Sequence, residues 1–425
     1  MKIGIIGAGF TGLSAAYKLS KSGHEITVLE KEKHPGGLAI GFKKNNWNWT
    51  LEEHYHHWFT NDKYIFDLAK EINYPILIKR PKTSTFIKNK IVQLDSPITL
   101  ITFPLLSIFD RIRMGLVLAL FRYNPFWKPF DKVKASKTLS LFMGAKAFNL
   151  IWKPLFEGKF DKYADNVSLA WFWARVRKRT TKLAYPKQGF LHFAKTLEKQ
   201  IEKMRGKFIF NCNVSKIINN TKPTVFFTKN GKMESLIFDK LIVTTSSSLF
   251  IELMPSLPKG YKEKLKKLNM LGATNLLLRL KKPFLPDNTY WLNICDNTSP
   301  LMAVVEHTNF IDKKNYNNEY LVYVGNYVPV NHPYFSNSKE KMLKLFNPYL
   351  KRLNKNYEKN LIGIEFFKAP FAQPVMPVNY SKNIPPFTTP SKNIFLANME
   401  QVYPWDRGTN YAAELGEKVS QTILL

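Results

Sequence analysis

Three glycines close to the amino terminus have the spacing that a dinucleotide requires. The segment from Gly7 to Gly12 reads GAGFTG, and Glu30 follows later in the chain. In such a motif the first glycine permits a tight turn, the second lets the backbone approach a pyrophosphate, and the third lets a helix pack close to its strand. A carboxylate at the position of Glu30 can accept hydrogen bonds from both ribose hydroxyls and would repel a 2′-phosphate. The spacing therefore predicts a dinucleotide site that disfavours an NADP-type adenosine.

Two strands and a helix must hold these residues in place. The run from Lys2 to Gly7 is apolar and β-branched, which favours a buried parallel strand. Residues 13–19 have helical character, and residues 25–29 form a second β-branched run that ends at Glu30. The free N–H groups and the dipole of the helix can bind the anionic pyrophosphate. An ordinary glycine turn in a βαβ unit would leave Glu30 unexplained.

A second glycine pair, Gly36-Gly37, follows within the segment KEKHPGGLA. This pair resembles the extended fingerprint of FAD-binding proteins of the glutathione reductase type. The pattern is most similar to the flavin-containing amine oxidase superfamily, which includes amine oxidases, protoporphyrinogen oxidases, phytoene-type desaturases and, more distantly, UDP-galactopyranose mutases. That family often has a basic residue where this chain has Leu38, and we expect Lys33 to replace it in part. The cofactor residues that the resemblance implies here are Gly7, Ala8, Gly9, Thr11, Gly12, Glu30, Lys31, Lys33, Gly36, Gly37 and Leu38.

The carboxyl-terminal residues resemble the last strand, loop and helix of the same family. Residues 394–397 favour a strand, residues 398–408 a loop, and residues 409–424 a helix. In the family the helix N-terminus points at the flavin pyrimidine edge, where N–H groups stabilise negative charge on the reduced flavin. The family's acid after the strand is replaced by Asn398 and Met399, and Asp406 is the expected substitute. The resemblance implies flavin contacts at Gly408, Thr409 and Asn410.

Two more segments resemble the family and suggest how the chain is divided. Residues 208–217 resemble the strand whose backbone contacts the adenine, near Val214, and residues 239–247 resemble a strand that re-enters the flavin domain. These anchors imply FAD-binding pieces at 1–74, 186–250 and 386–425, and a substrate-binding domain made of 75–185 and 251–385. The expected fold class is α/β, with a Rossmann-like FAD-binding domain on a parallel sheet and an inserted α+β substrate domain.

The resemblance implies an FAD-dependent oxidoreductase that takes a hydride from a C–N or C–C unit of a small molecule to flavin N5. The net charge and the apolar stretch from Ser96 to Phe121 suggest that this substrate is apolar. Two alternatives stay open. One is a redox-neutral mutase acting on a nucleotide sugar, in which Arg175, Arg177 and Arg179 would bind the diphosphate. The other is a non-catalytic flavoprotein that binds a membrane or a partner. The run from Trp171 to Arg179 is also typical of an amphipathic helix with its aromatic side chains in the core.

No motif identifies a catalytic residue, but four side chains are candidates for proton transfer. His56 and His57 belong to the unusual segment EHYHHW, for which a structural aromatic loop is an equal alternative. Residues 301–309 favour a strand in which Glu306 and His307 would project to opposite faces, so only one of them can face the flavin. Three histidines so close together could bind a metal, but no acid or histidine elsewhere pairs with them by spacing, and we expect no metal.

Composition limits the remaining classes of protein. The 425 residues are 45% hydrophobic, which excludes disorder along the whole chain. Only two cysteines, Cys212 and Cys295, are present, which excludes a disulfide scaffold. Neither lies near the carboxyl end, so we expect the FAD to be bound non-covalently. With no export signal at the start of the sequence, we expect a reduced, cytoplasmic protein.

The charge and one apolar stretch raise the question of a membrane. Lys and Arg number 63 against 32 Asp and Glu, which gives a net charge of +31. Such a charge favours an anionic partner, although lysines spread along the whole chain suggest a compositional habit. The apolar stretch from Ser96 to Phe121 is interrupted by Asp110, Arg111 and Arg113, so it can lie on a membrane or pack in a core, but not cross. An anionic membrane surface at the inner face is therefore a candidate partner, and no nucleic acid is expected.

Overall fold

The computed structural model describes all residues from 1 to 425, with strands in five separate sheets. The strands are β1 (Lys2–Ile6), β2 (Glu25–Leu29), β3 (Gly41–Phe42), β4 (Leu51–Glu52), β5 (Trp58–Phe59), β6 (Ile76–Lys79), β7 (Lys82–Ile87), β8 (Lys90–Gln93), β9 (Leu183–Pro186), β10 (Lys207–Ile209), β11 (Cys212–Asn219), β12 (Pro223–Lys229), β13 (Lys232–Ile237), β14 (Lys240–Val243), β15 (Met270–Leu280), β16 (Thr289–Ile294), β17 (Ala303–Glu306), β18 (Tyr320–Val328), β19 (Leu361–Pro374) and β20 (Ile394–Leu396). The helices are α1 (Phe10–Lys21), α2 (Lys63–Glu71), α3 (Pro97–Ile101), α4 (Ile108–Tyr123), α5 (Ala135–Met143), α6 (Ala145–Ala147), α7 (Lys153–Phe160), α8 (Leu169–Lys178), α9 (Phe190–Lys203), α10 (Ser247–Leu253), α11 (Lys259–Lys266), α12 (Lys339–Leu353) and α13 (Thr409–Leu424).

A five-stranded parallel sheet carries the glycine motif. Its order is β10-β2-β1-β14-β20, and every neighbouring pair is parallel. The central strand β1 is buried on both faces, as parallel strands usually are, and Ile3 and Ile5 are fully buried. The α/β fold class and the Rossmann-like parallel sheet are therefore confirmed. All five strands fall within the ranges 1–74, 186–250 and 386–425.

The segment 208–217 is not one strand, as the sequence suggested, but two. β10 ends at Ile209, and Asn211 has a φ of 52°, a left-handed conformation that asparagine tolerates well. The chain turns there and leaves the parallel sheet. β11 then begins at Cys212 and pairs with β12 and β13 in a separate antiparallel sheet.

A seven-stranded sheet forms the second large layer. Its order is β19-β15-β18-β17-β16-β7-β8, and only the β16–β7 pair is parallel. Alternate residues of β18 serve its two faces, since Tyr323 belongs to the core shared with Ile5, and Val324 belongs to the core shared with Met342 of α12. This sheet therefore presents one face to the parallel sheet and covers the other with a helix.

Helices α3 to α8 form a third region. It contains the two segments that the sequence marks as apolar or amphipathic, residues 96–121 and 171–179. The amphipathic helix at Trp171 to Arg179 is confirmed, because α8 buries Trp171, Phe172 and Trp173. The stretch from Ser96 to Phe121 forms α3 and α4, and α4 buries only Met114 and Phe121. Val117 and Leu118 are half-buried, and the other large apolar side chains of α4 are exposed. No helix of the chain has both the length and the apolar composition needed to cross a membrane.

The last helix is fixed against the first by a very close crossing. A Cβ atom on Gly416 of α13 would lie 2.4 Å from the carbonyl oxygen of Thr11 and 2.8 Å from the amide nitrogen of Ala15. The hydroxyl of Ser14 donates a hydrogen bond to the carbonyl of Ala413 at 2.8 Å. The two helix starts that the resemblance assigns to the flavin are thus held by one packing contact.

We predict that Gly416→Ala destabilises the protein by about 1–3 kcal/mol, the range for overpacking a tight contact. The clash is with backbone atoms, so α13 must move away from α1, and FAD affinity should fall as well. Gly260→Ala is the matched control, because Gly260 lies on an exposed helix with nothing within 4 Å of the new methyl group. That control should be neutral or more stable by up to about 1 kcal/mol. Denaturant unfolding and FAD titration measure both effects, and equal behaviour of the two variants would contradict the close crossing.

Candidate active site

The GAGFTG turn shapes an anion-binding corner at the end of β1. Gly7 has a φ of 102°, and a Cβ atom on Gly12 would lie 2.0 Å from the carbonyl oxygen of Gly7. The helix can therefore begin directly against the strand only with glycine at both positions. Gly9 is the N-cap of α1 and supplies no capping side chain, and Leu13 makes the first intrahelical bond to its carbonyl at 2.9 Å. The N–H groups of the first turn are left for a ligand.

The second glycine pair lies against the first motif. The amide of Gly36 donates to the carbonyl of Ala8 at 2.9 Å, and a Cβ atom on Gly37 would lie 2.9 Å from Cα of Gly9. Gly37 also has a φ of 58°, which favours glycine. Of the neighbouring residues that the resemblance implies, Leu38 is half-buried, and Lys31 and Lys33 are exposed.

The carboxylate of Glu30 is buried and placed by two backbone groups. Its Oε2 accepts from the amide of Ala8 at 2.6 Å, and its Oε1 accepts from the amide of Glu32 at 2.9 Å. Burial raises the pKa of Glu30, and the two N–H groups partly oppose that shift. Each oxygen keeps a lone pair, so two ribose hydroxyls can still be bound. Val214 lies two residues after Cys212, whose amide bonds the carbonyl of Glu30 at 3.0 Å.

The start of α13 offers backbone N–H groups, and the side-chain oxygens of its first two residues are already used as acceptors. The hydroxyl of Thr409 accepts from the indole N–H of Trp58 at 2.7 Å, and the amide oxygen of Asn410 accepts from the backbone of Ile65 at 3.2 Å. Gly408 is the N-cap and has no side chain to cap the helix. What the start of α13 can offer a ligand is therefore N–H and O–H donors, chiefly the backbone N–H groups of the first turn.

A cavity lies between these elements and the seven-stranded sheet. Its walls come from the turn after Gly37, the histidine segment, strands β15, β18 and β19, and the loop before α13. Tyr55 packs against Gly325, where a Cβ atom would approach the ring to 2.7 Å, so the glycine makes room for the aromatic side chain. The lining residues are Leu38, His54, Tyr55, His56, Ala273, Thr274, Asn275, Gly325, Asn326, Tyr327, Ala369, Ala372 and Arg407.

The histidines at this cavity are neutral bases. Burial lowers the pKa of His54 to about 3 and that of His56 to about 4. Nδ1 of His56 lies 2.6 Å from the carbonyl oxygen of His54 and must donate to it, which leaves Nε2 as an acceptor. Burial also lowers the pKa of His57 to about 3, but its Nδ1 lies 3.2 Å from the hydroxyl of Tyr290. His56 is therefore the histidine candidate with an uncommitted nitrogen at the cavity.

Glu306 and His307 lie outside the cavity walls. The carboxylate of Glu306 accepts from the amides of Phe284 at 3.1 Å and Leu285 at 2.6 Å, and burial raises its pKa to about 7. Nε2 of His307 lies 2.9 Å from the hydroxyl of Tyr316, and burial lowers its pKa to about 3. The sequence suggested that one of the two would face the flavin, but both are buried in structural hydrogen bonds. No group of three His, Cys, Asp or Glu is placed to hold a metal ion.

A charged cluster that sequence reasoning missed borders the cavity. Oδ2 of Asp406 lies 3.0 Å from Nζ of Lys159 and 2.7 Å from the guanidinium of Arg175. Asp406 is thus held by cations rather than free for the flavin contact expected of it. Burial raises its pKa, but Lys159, Arg175 and Arg407 outweigh that effect and bring the pKa far below the usual range.

The three arginines proposed for a diphosphate do not converge. Arg175 is paired with Asp406, Arg177 donates to the carbonyl of Arg122 at 2.6 Å, and Arg179 is exposed. Lys159 and Arg407 take their place beside Arg175. Neither could be found from the sequence, since they lie in segments far apart in the chain and belong to no motif.

Comparisons with known proteins identify the family of this chain. The model of the family described as flavin containing amine oxidoreductase matches residues 10–424. A protein from Exiguobacterium sp. 255-15, provisionally named a protoporphyrinogen oxidase, has a similar structure, with a TM-score of 0.75 and 14% identity over 99% of this chain and 98% of that one. Reduced UDP-galactopyranose mutase has a TM-score of 0.76 and 16% identity over 100% of this chain and 95% of that one.

A curated relative matches this chain over a short segment alone. The 4,4′-diapophytoene desaturase of Staphylococcus aureus strain COL is 43% identical over 51 residues, which are 12% of this chain and 10% of the desaturase. The match therefore spans about a tenth of that relative. The family match, by contrast, covers nearly the whole chain and brings with it FAD as the cofactor. The chain belongs to the flavin-containing amine oxidoreductase family and is an FAD-dependent oxidoreductase.

Proposed function

We propose that this oxidoreductase takes a hydride from a C–N or C–C unit of a largely apolar small molecule. The observation that carries the proposal is the cavity in which Leu38, Tyr55 and the neutral His56 lie beside the glycine cradle. When bound, FAD supplies the hydride acceptor at N5. The aromatic and aliphatic walls exclude water from the reacting carbon. Nε2 of His56 can then accept a proton that the substrate loses, because burial keeps the imidazole neutral.

The protein fits the cofactor at three points. The first turn of α1 would bind the pyrophosphate, and the free lone pairs of Glu30 would bind the adenosine ribose. The missing Cβ atoms at Gly12 and Gly37 let the backbone segments that would surround such a ligand pack closely against each other. The N–H groups at the start of α13 would face the pyrimidine edge and stabilise negative charge there. That the FAD is non-covalent stays a prediction.

We also propose that the substrate is reached from an anionic membrane surface. Helices α3, α4 and α5 expose a large apolar surface, and monomeric proteins rarely leave such a surface uncovered. Residues 96–146, which contain it, include eight Lys and Arg and only two Asp. This combination suits a helix lying in the headgroup region of anionic lipid. The exposed side chains are Ile98, Ile101, Ile108, Phe109, Ile112, Leu116, Leu120, Tyr123, Phe126, Leu141 and Phe142.

Anaerobic mixing of the oxidised protein with apolar amines and polyenes tests the reaction. A substrate should bleach the flavin absorbance, and His56→Gln should slow the bleaching by about 10²–10⁴-fold, the usual loss of a general base. His24→Gln, remote at the amino terminus, is the control. Activity on a nucleotide sugar only after prior reduction would instead identify a mutase. A protein that showed neither reaction would be a non-catalytic flavoprotein.

A second test concerns Glu30. Glu30→Ala should weaken FAD binding by about 1–3 kcal/mol, because charge-assisted hydrogen bonds to the ribose are lost. Glu32→Ala removes the same charge from an exposed neighbour and should leave the affinity nearly unchanged. Titration of the apoprotein with FAD measures both, and equal affinities in the two variants would remove Glu30 from the ribose site.

Vesicle sedimentation tests the membrane proposal. The parent protein should sediment with vesicles that contain anionic lipid at low salt, and less so above about 0.15 M salt. The double variant Leu116→Ser, Leu120→Ser should bind at least about ten-fold less, since each buried leucine contributes roughly 1.5–3 kcal/mol. Met233→Ser, Ile237→Ser is the control, because these side chains are similarly exposed on β13. Equal binding of the two variants, or no binding of the parent, would reject this surface.

A further inference from the structure

A surplus of positive charge reaches the wall of the cavity. Asp406 is the only carboxylate bonded to Lys159 and Arg175, and Arg407 follows it directly in the chain. Arg407 bonds neutral groups, since its Nε donates to the side-chain oxygen of Gln373 at 3.0 Å and its terminal nitrogen bonds the hydroxyl of Tyr327. Three cations therefore share one negative charge.

Two aromatic rings hold these cations together without neutralising them. Nζ of Lys159 lies 5.1 Å from the ring centre of Trp171 and 5.8 Å from that of Tyr327. The guanidinium of Arg175 lies 5.0 Å from the Trp171 ring, and that of Arg407 lies 5.1 Å from the Tyr327 ring. Cation–π contacts stabilise a cation but leave its charge in place. Tyr327 and Arg407 both line the cavity, so the surplus charge is presented to it.

An unpaired cation in a buried site is costly, and a bound anion removes that cost. Lys159 shows the cost of this unpaired charge, because burial together with Arg175 and Arg407 lowers the pKa of its ammonium group to about 7. Arg407 has guanidinium N–H groups that are not used within the protein, and these are suited to oxygen anions. The position of the cluster at the cavity makes the substrate the natural source of the missing negative charge.

We propose that Lys159, Arg175 and Arg407 form a subsite for an anionic group of the substrate, a phosphate or a carboxylate. The substrate class is then an amphiphile, with an apolar body against the cavity walls and one anionic group at this subsite. This inference rests on the proposed function in one respect, namely that the anion bound here belongs to the substrate. The anion subsite itself can be measured without turnover.

The experiment titrates the holoenzyme with pyrophosphate, inorganic phosphate and benzoate at constant ionic strength, following indole fluorescence and flavin absorbance. Saturable binding is expected. Lys159→Met should weaken it by about ten-fold or more, as for a lost charge-assisted hydrogen bond. Lys162→Met removes the same charge from an exposed neighbour and should have no effect. Asp406→Asn should tighten binding, because it enlarges the positive surplus, and misfolding could not produce that sign.

The outcomes separate the possibilities. If pyrophosphate and phosphate bind more tightly than benzoate, the substrate carries a phosphate. If benzoate binds more tightly than both, the substrate carries a carboxylate. Anion binding without any substrate-driven bleaching would refute the proposed oxidation and keep the subsite. The absence of saturable binding, equal effects of Lys159→Met and Lys162→Met, or weaker binding by Asp406→Asn would overturn the subsite. If Lys159→Met left the anion affinity unchanged but lowered the flavin reduction potential, the subsite proposal would also be overturned. The three cations would then act on the flavin and not on a substrate anion.

Discussion

The close approach of backbone segments around α1 is the constraint on which the cofactor site depends. On one side, Gly12 allows the helix to begin against the carbonyl of Gly7, and Gly37 lets the second turn lie against Gly9. On the other side, Gly416 lets α13 cross α1 without a side chain between them. Since the proposed pyrophosphate site lies at α1 and the proposed pyrimidine site at α13, these contacts set the distance between the two ends of the proposed cofactor site. A methyl group at any of them would displace one anchor relative to the other.

The predictable parts of the fold are those in which residues close together in the sequence also form the contacts that hold the element in place. One βαβ unit contains the run from Lys2 to Gly7, the glycine motif and the acid at Glu30. Because these residues are close in sequence, their spacing is enough to predict their relative positions. The final helix begins at Thr409, as its apolar periodicity indicated. The segment 208–217 was harder, because its β-branched residues favour a strand throughout, and only the left-handed conformation of Asn211 divides it.

The rest of the site depends on contacts between distant segments, which local patterns do not contain. Asp406 pairs with Lys159 and Arg175, which are separated from it by more than half of the chain. Glu306 and His307 were reasonable candidates by residue type, but the seven-stranded sheet buries both of them, and the loop after β15 uses the carboxylate of Glu306 for its own backbone. A titratable residue can become catalytic only where the fold leaves one of its atoms free at a cavity. His56 lines the cavity, whereas His307 lies outside its walls.

The exposed apolar surface belongs to the same group of helices, α3 to α8, as two of the three clustered cations, Lys159 and Arg175. Arg122 near the end of α4 donates to the carbonyls of Arg177 at 2.7 Å and Arg179 at 2.8 Å, and Arg177 donates back to the carbonyl of Arg122. The indole of Trp173 bonds the carbonyl of Asn124 at 2.9 Å. The exposed face of α4 and the helix that carries Arg175 are therefore joined by hydrogen bonds at their carboxyl ends. This connection joins the surface proposed to meet lipid to the helix that supplies Arg175 to the proposed anion subsite, an arrangement suited to an amphiphilic substrate.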